Sequence, residues 1–423
     1  MTAFSEKTIA ASPPSGGEIA RAARAVAATV AHAATAQKNA VLQNFIAQLQ
    51  DNAKNIMAAN RRDLAAAGEL SDALKDRLFL DEKRMRGMTE GLAAIIALPD
   101  PVGEMSDFAV RPSGISVGKM RTPLGVILAI YESRPNVTAD IAALALKAGN
   151  AVILRGGGEA KHSNAAIGEC LSAALDAAEL PAAAAQVVAD SSRALVDELL
   201  SREEIDLAIP RGGRGLIERV AAVARMPVLK HLDGNCHVYV DAAADLTMAE
   251  KIVINAKTRR YGVCSAAESL LVHRATAAAF LPQIAAALSA RKVEMRGCAE
   301  TRKIIRCAAA TEDDWRAEYL APIISIKIVA DADEAVAHIN EFGSGHTDAV
   351  VTDSVRIGRR FLREVDSSSV MLNASTAFAD GGEFGLGAEV GISTGKLHAR
   401  GPVGLAGLTC QKYVVFGNGE IRA

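Results

Sequence analysis

Short uncharged apolar runs alternate with helical stretches through most of this chain, and that alternation leaves few folds open. Gly125-Val126-Ile127-Leu128-Ala129-Ile130 is too short for a helix and carries no polar face, so it reads as a strand buried on both sides. Thr138 is placed to cap a helix running to Ala148, and Gly149-Asn150 would stop it. Ala151-Val152-Ile153-Leu154 is then the next strand. Strand, helix and strand in that order make a βαβ unit, whose strands run parallel with a right-handed crossover. The pattern continues through Gln186-Val187-Val188, Ile205-Asp206-Leu207-Ala208-Ile209, Val228-Leu229 and His237-Val238-Tyr239-Val240. A second series has strands near 270–272, 323–329, 349–352 and 369–372. Two consecutive α/β halves predict two doubly wound α/β domains, with ligands beyond the carboxyl ends of the strands.

The flanks differ. From Glu18 to Leu98 the apolar residues recur at three and four, as in Val41, Leu42, Phe45, Ile46 and Leu49, until Pro99-Asp100-Pro101 ends the helices. Residues 108–120 read as a hairpin turning at Arg111-Pro112-Ser113-Gly114, and 409–416 as one more strand. The first 17 residues have no basic region followed by an apolar core, so they are expected to be a flexible lead and not a signal peptide. A net charge of −2 and 4% aromatic residues give no basis for binding nucleic acid or an anionic membrane. No uncharged apolar run reaches the roughly 20 residues of a membrane helix. The six cysteines lack CxxC or Cys/His zinc spacing, so reduced thiols, no metal site and a cytoplasmic location are expected.

Two glycine-rich loops follow strands and could approach a phosphate. One is Arg155-Gly156-Gly157-Gly158-Glu159, the other Pro210-Arg211-Gly212-Gly213-Arg214-Gly215 ahead of a helix. Arg155 at a strand end suits the 2′-phosphate that separates NADP from NAD. Either loop alone could be no more than a tight βα turn. Neither is GxGxxG, and no GxxxxGK[ST] loop occurs, so an ordinary Rossmann dehydrogenase and a P-loop kinase are excluded. A third loop, 381–391, carries Glu383 and Glu389 among five glycines, as if to meet an amino group. Cys264 stands in Lys257-Thr258-Arg259-Arg260-Tyr261-Gly262-Val263-Cys264-Ser265-Ala266. Small neighbours leave the sulfur accessible, and three cations nearby would favour the thiolate. A lone cysteine beside Val and Ala is otherwise a small buried hydrophobe.

Several blocks in order resemble the γ-glutamyl phosphate reductase (glutamate-5-semialdehyde dehydrogenase) family of the aldehyde dehydrogenase superfamily. They are Tyr131-Glu132-Ser133-Arg134-Pro135-Asn136-Val137-Thr138, Ile209-Pro210-Arg211-Gly212-Gly213-Arg214-Gly215, Lys230-His231-Leu232-Asp233-Gly234, the Cys264 segment and Leu397-His398-Ala399-Arg400-Gly401-Pro402. The resemblance spans about 19–422 and implies reduction of L-glutamyl 5-phosphate by NADPH to glutamate 5-semialdehyde and phosphate, the second step of proline synthesis. It makes Cys264 the nucleophile and places Ser133 and Asn136 as oxyanion donors. Arg155, Gly156, Gly157, Arg211, Gly212 and Gly213 would hold the nucleotide, with Glu318 on the nicotinamide ribose. His346, Asn373, Ser375 and Glu383 would meet the glutamyl end. Oxidising relatives carry Glu-Leu-Gly-Gly, whose glutamate activates water. Here His231 replaces that glutamate, which suits a reductase and leaves a structural role for His231 open.

Tyr261, Ser265 and Ala377 depart from the family pattern, where proline, asparagine and arginine are usual. The resemblance also implies four regions: a lead over 1–17, an NADP-binding domain over 18–235, a catalytic domain over 236–402, and a C-terminal oligomerisation strand over 403–423. The 108–120 hairpin would join that strand in a homo-oligomer arm. Glutamyl 5-phosphate would come from glutamate 5-kinase, with direct handover left open. The competing readings are a hydrolytic aldehyde dehydrogenase, a non-catalytic relative and a cysteine acyltransferase or protease.

Overall fold

The computed structural model describes residues 14–68 and 70–422. Of the expected flexible lead, residues 1–13 lie outside the described residues. Gly16 and Gly17 already form the first turn of a helix, Gly16–His32. Ser15 and Glu18 close a capping box there, and the Gly16 and Gly17 amides donate to the Glu198 carboxylate at 3.0 and 2.8 Å. The sequence signal missed this because two glycines read as a breaker unless a carboxylate holds them.

The chain divides into two compact units. The first comprises residues up to Gly213, with 219–228 and 408–423; the second comprises 214–218 and 229–407. In the first unit, β1 (Met105–Val110) and β2 (Ser116–Pro123) form the antiparallel hairpin. Next come β3 (Val126–Tyr131), β4 (Ala151–Gly156), β5 (Ala185–Val187) and β6 (Leu207–Arg211), a parallel sheet in the order β5-β4-β3-β6. Every residue of β3 is buried. Val228 contributes only an isolated bridge to Ala208, not a strand. The helix between β3 and β4 is Asn136–Lys147, which starts two residues earlier than its expected cap. Thr138 is therefore inside it, buried, bonding the Tyr131 hydroxyl at 2.7 Å and donating to Asn164 at 3.0 Å.

The second unit holds a seven-stranded sheet, parallel throughout. Its strands are β7 (Cys236–Val240), β8 (Ala267–His273), β9 (Glu294–Gly297), β10 (Ala308–Ala309), β11 (Ile323–Val329), β12 (Thr347–Val351) and β13 (Ser369–Leu372), ordered β10-β9-β11-β8-β7-β12-β13. Alternate side chains feed two separate cores. Val238, Val240, Leu270, Val272 and Ile326 pack with helices Leu246–Thr258 and Arg274–Ser289. Tyr239, Leu271 and Val350 pack on the other face with Ala335, Ile339 and Phe361. A short ladder of β14 (Gly391–Ser393) and β15 (Gly401–Val403) also belongs to this unit, so the expected C-terminal segment separates at Leu408 and not at 403. The last strand, β16 (Thr409–Phe416), returns to the first unit and pairs along all of β2.

Candidate active site

Cys264 sits in the loop between helix Leu246–Thr258 and β8, and one buried ion pair closes that loop. Lys257, in the last helical turn, bonds Glu268, the second residue of β8, and both side chains are fully buried. Burial pushes the Glu268 carboxyl up to about 7, against the pull of Lys257 and the Leu320 amide. Burial lowers Lys257 in turn, against Glu268. The expected electrostatic help for the thiolate is thereby reduced: Lys257 spends its charge on Glu268, and Arg259 and Arg260 are exposed. The loop carbonyls are fixed as well. Cys236 Sγ donates to the Cys264 carbonyl at 3.1 Å, and Thr376 Oγ1 to that of Ser265 at 2.7 Å.

The segment 230–234 packs on this loop without room for a side chain at Gly234. A Cβ there would lie 2.1 Å from the Cys264 carbonyl oxygen and 2.5 Å from its Cα. The Gly234 amide donates to Glu318, whose carboxyl burial holds above its ordinary range. Glu268 accepts the Leu320 amide at 3.2 Å, so the same carboxylate that closes the Cys264 loop anchors the Glu318 turn. Leu320 has φ 51°, a left-handed residue held by that bond.

Beside the sulfur stand two histidines. Ligand atoms of His231, Cys264 and His346 lie within 4.8 Å of one another, and the two rings meet edge to face with centroids 5.5 Å apart. His231 Nδ1 donates to the Ile392 carbonyl at 3.1 Å. His346 is wholly buried, with Nδ1 2.8 Å from Thr347 Oγ1 and Nε2 without a partner. Burial, with His231 nearby, pushes His346 down to about 3, so the ring is neutral near pH 7. The expected position for this chemistry needs correction. Gly234, Cys264, Glu318 and His346 all precede their strands, so the cluster lies at the amino ends of β7, β8, β11 and β12, not the carboxyl ends.

The remaining residues expected to meet substrate fall into different settings. Asn373 spends its amide on Thr352, accepting from the backbone N–H at 2.9 Å and donating to the carbonyl at 3.0 Å. It pins the end of β13 at φ 55° and has no polar atom left over for a ligand carboxylate beyond its second amide hydrogen. Ser375 caps a turn by accepting the Ala377 amide at 3.2 Å. Glu383 is exposed, while Glu389 turns inward and accepts the Gly381 amide at 2.9 Å. Of the unusual residues, Ser265 is buried, Tyr261 packs against the core, and Ala377 belongs to the turn that Ser375 caps.

In the first unit the carboxyl ends of β3, β4 and β6 align, with Tyr131 opposite both Gly156 and Arg211. The loops expected to hold a nucleotide therefore share one sheet edge, yet acidic side chains already occupy much of it. Glu159 accepts both the amide and hydroxyl of Ser133, at 2.6 and 2.9 Å. Glu132 accepts the Gly213 amide at 2.9 Å. A Cβ on Gly156 would strike Asn164 at 2.0 Å, and one on Gly157 would strike Glu159 at 2.2 Å. These two glycines make room for neighbouring side chains. Asn136 donates to Asp140 at 2.9 Å, and burial pushes Asp140 up to about 6. Ser133 is thus committed to Glu159, whereas Asn136 retains a second amide hydrogen.

Beside this edge opens a cleft of about 440 Å³, lined by Gly156, Gly157, Lys161, Gln186 and Ser191 among others. Arg155 donates through Nη2 to the carbonyl of Ser191, one of the lining residues, while its buried Nε has no partner. The volume and the Lys161 cation fit the adenosine phosphate end of a nicotinamide nucleotide. Sequence reasoning missed Lys161, Glu268, Cys236 and Thr376. Glu268, Cys236 and Thr376 work through contacts distant in sequence, which no local spacing announces, and Lys161 is marked only by the cleft it lines.

The chain matches the aldehyde dehydrogenase family over residues 6–304 and 303–390. A γ-glutamyl phosphate reductase structure from Thermotoga maritima is 44% identical, covers 97% of this chain and 100% of its own, and superposes with a TM-score of 0.94. The Saccharomyces cerevisiae γ-glutamyl phosphate reductase is 29% identical, with coverage of 97% and 100% and a TM-score of 0.54. An engineered glycolyl-CoA reductase with bound NADP⁺ is 14% identical over 96% and 97%, with a TM-score of 0.66, and shares the fold.

Proposed function

Because the chain belongs to the aldehyde dehydrogenase family, in its γ-glutamyl phosphate reductase branch, we propose that it reduces L-glutamyl 5-phosphate to L-glutamate 5-semialdehyde with NADPH, in proline biosynthesis. The observation that carries this reading is the 44% identity to the Thermotoga maritima reductase over nearly the whole chain. The local chemistry around Cys264 agrees with it. The sulfur attacks the acyl carbon, the C–O bond to phosphate breaks, and a thioester forms. NADPH, when bound, supplies the hydride that releases the aldehyde and returns the thiolate. Arg155, Gly156, Gly157, Arg211, Gly212 and Gly213 serve the nucleotide in this proposal, with Glu318 accepting from a ribose hydroxyl. Asn136 supplies the amide hydrogen for the developing oxyanion, and Ser133 holds Glu159 in place.

His231 carries weight here. A hydrolytic enzyme needs a carboxylate base for water, and His231 instead donates through Nδ1 to a backbone carbonyl. An acyl phosphate is an activated group that hydrolysis would waste, so exclusion of that base is useful. His346, wholly buried beside the sulfur, is a positioning residue in this scheme and not a direct substrate ligand. Among the described residues no helix is long and apolar enough to cross a membrane. A cytoplasmic enzyme is therefore our reading, with small-molecule substrates and homo-oligomerisation through the β1-β2-β16 sheet.

The test is the reverse reaction. Glutamate semialdehyde, phosphate and NADP⁺ are mixed with the protein, and NADPH formation is followed by absorbance. Phosphate-dependent formation is expected. Phosphate-independent formation would make the chain a hydrolytic dehydrogenase, and binding of NADPH without turnover would make it a non-catalytic relative.

A further inference from the structure

We propose that His231, Cys264 and His346 form a three-donor site for a thiophilic divalent cation of the Zn²⁺ class, which reversibly caps the nucleophilic sulfur. The three donors come from segments 33 and 82 residues apart, counted 231 to 264 and 264 to 346, so no sequence spacing displays them. Their ligand atoms already lie within 4.8 Å of one another. A tetrahedral zinc with bonds of about 2.0–2.3 Å needs donor separations of roughly 3.3–3.6 Å, so an inward movement of about 1 Å completes the site. One sulfur and two imidazoles, without an oxygen ligand, select Zn²⁺ over Mg²⁺ or Ca²⁺.

A second observation points to a ligand independently of the cluster. His346 is fully buried and its Nε2 has no hydrogen-bond partner. In its Nδ1–H tautomer the ring donates to Thr347 Oγ1 at 2.8 Å, leaving a lone pair at Nε2. His231 must carry its proton on Nδ1, because the Ile392 carbonyl at 3.1 Å can only accept. Both rings are thus oriented through one nitrogen, the arrangement by which outer hydrogen bonds prepare metal-binding histidines. The sulfur binds as thiolate: one S–metal bond forms and the thiol proton, where present, passes to solvent. Three protein donors leave a fourth position for water. The inhibitory consequence rests on Cys264 being the nucleophile, whereas the binding itself does not.

Co²⁺ titration of the full chain tests this, because thiolate coordination gives a near-ultraviolet charge-transfer band without need of turnover. One equivalent of Co²⁺ per chain is expected, with tetrahedral visible bands, displaced by Zn²⁺ and removed by chelator. Cys264→Ser should abolish the charge-transfer band, and Cys410→Ser should leave it intact. His231→Gln, at a half-buried position, should weaken affinity about tenfold or more, the range for damaged metal sites, and His346→Gln likewise where it folds. Zn²⁺ should inhibit turnover over the same concentrations and chelator should restore it. A band that survives Cys264→Ser, no band at all, or unchanged affinity in His231→Gln would overturn the site. Failure of the band alongside normal reductase turnover would overturn only this proposal. Absence of turnover with an intact band would overturn only the reductase reading.

Discussion

Replacing Lys257 by Met should unfold the second unit more readily, and by an amount that depends on pH. Both Lys257 and Glu268 are fully buried, so the substitution leaves a carboxyl in the core with the Leu320 amide as its remaining donor at 3.2 Å. Removing one partner of a buried pair costs about 3–5 kcal/mol. Glu268 can escape part of that by taking a proton. Its pKa is already raised to about 7 with Lys257 present, and losing the cation raises it further. A folded-state pKa above the unfolded value of about 4.3 means that stability is fully present below 4.3 and lost as pH rises through the folded pKa. Below pH 7 the wild type also protonates Glu268 and loses its own pairing. The difference between variant and wild type is therefore largest above the variant's own raised pKa, shrinks by up to about 1.4 kcal/mol per unit as pH falls from there to 7, and stays constant below 7, where both are protonated.

Urea unfolding followed by fluorescence of Trp315, the single tryptophan and a buried residue of the second unit, reads this directly. The double variant Lys257→Met/Glu268→Leu removes both charges and should recover most of the loss, since apolar replacement of a buried pair is near neutral or stabilising. Its turnover should not recover. The pair fixes the ends of the Cys264 loop and the Leu320 turn, and a displacement of about 1 Å at a reacting atom costs roughly 10²-fold. Equal losses in the single and double variants at pH 8, or a single-variant loss that ignores pH, would refute the ion-pair argument. Full activity in the folded double variant would refute the positioning role.

Other substitutions probe the remaining contacts. Gly234→Ala places a Cβ 2.1 Å from the Cys264 carbonyl, and with backbone on both sides the cost should sit near the upper end of about 1–3 kcal/mol, seen as a lowered Tm and slower alkylation of Cys264. Cys264→Ser should abolish turnover while NADPH binding, measured by calorimetry, stays near wild type, since a serine hydroxyl is scarcely ionised near neutral pH. Arg155→Ala should weaken NADPH binding by about 1.5–3 kcal/mol and NADH much less. Equal losses would move the 2′-phosphate role to Lys161, because Arg214 is already paired with Glu218 and Asp233. Truncation after Leu408 removes β16 and uncovers β2, and sedimentation should show the intact oligomer breaking down. A monomeric intact protein or an unchanged oligomer would exclude the arm, whose Val110, Tyr413 and Phe416 are 76%, 74% and 56% exposed.

The strands were legible because burial on both faces of a parallel sheet leaves an apolar run that no helix of that length imitates. Strands 323–329 and 369–372 appear in the structure at the residues the pattern predicts. Reading the site was harder, for a physical reason. The loops proposed to hold the nucleotide follow the carboxyl ends of β4 and β6, where helix N-termini and glycines leave a sequence trace. Around Cys264 the site is built at the amino ends, from loops that leave helices and enter strands, and its members meet only through the strand order β11-β8-β7-β12. That order brings 234, 264, 318 and 346 together from four separate segments. The same convergence explains why no spacing joins the two histidines to the cysteine, and why Lys257, expected as a cation favouring the thiolate, is instead bound to Glu268 eleven residues on. Composition and spacing report what a chain buries; which buried groups face one another is decided by topology. Ser133, Asn373 and His346 likewise meet partners that only strand order brings near: Glu159 after β4, Thr352 after β12, and the Cys264 cluster.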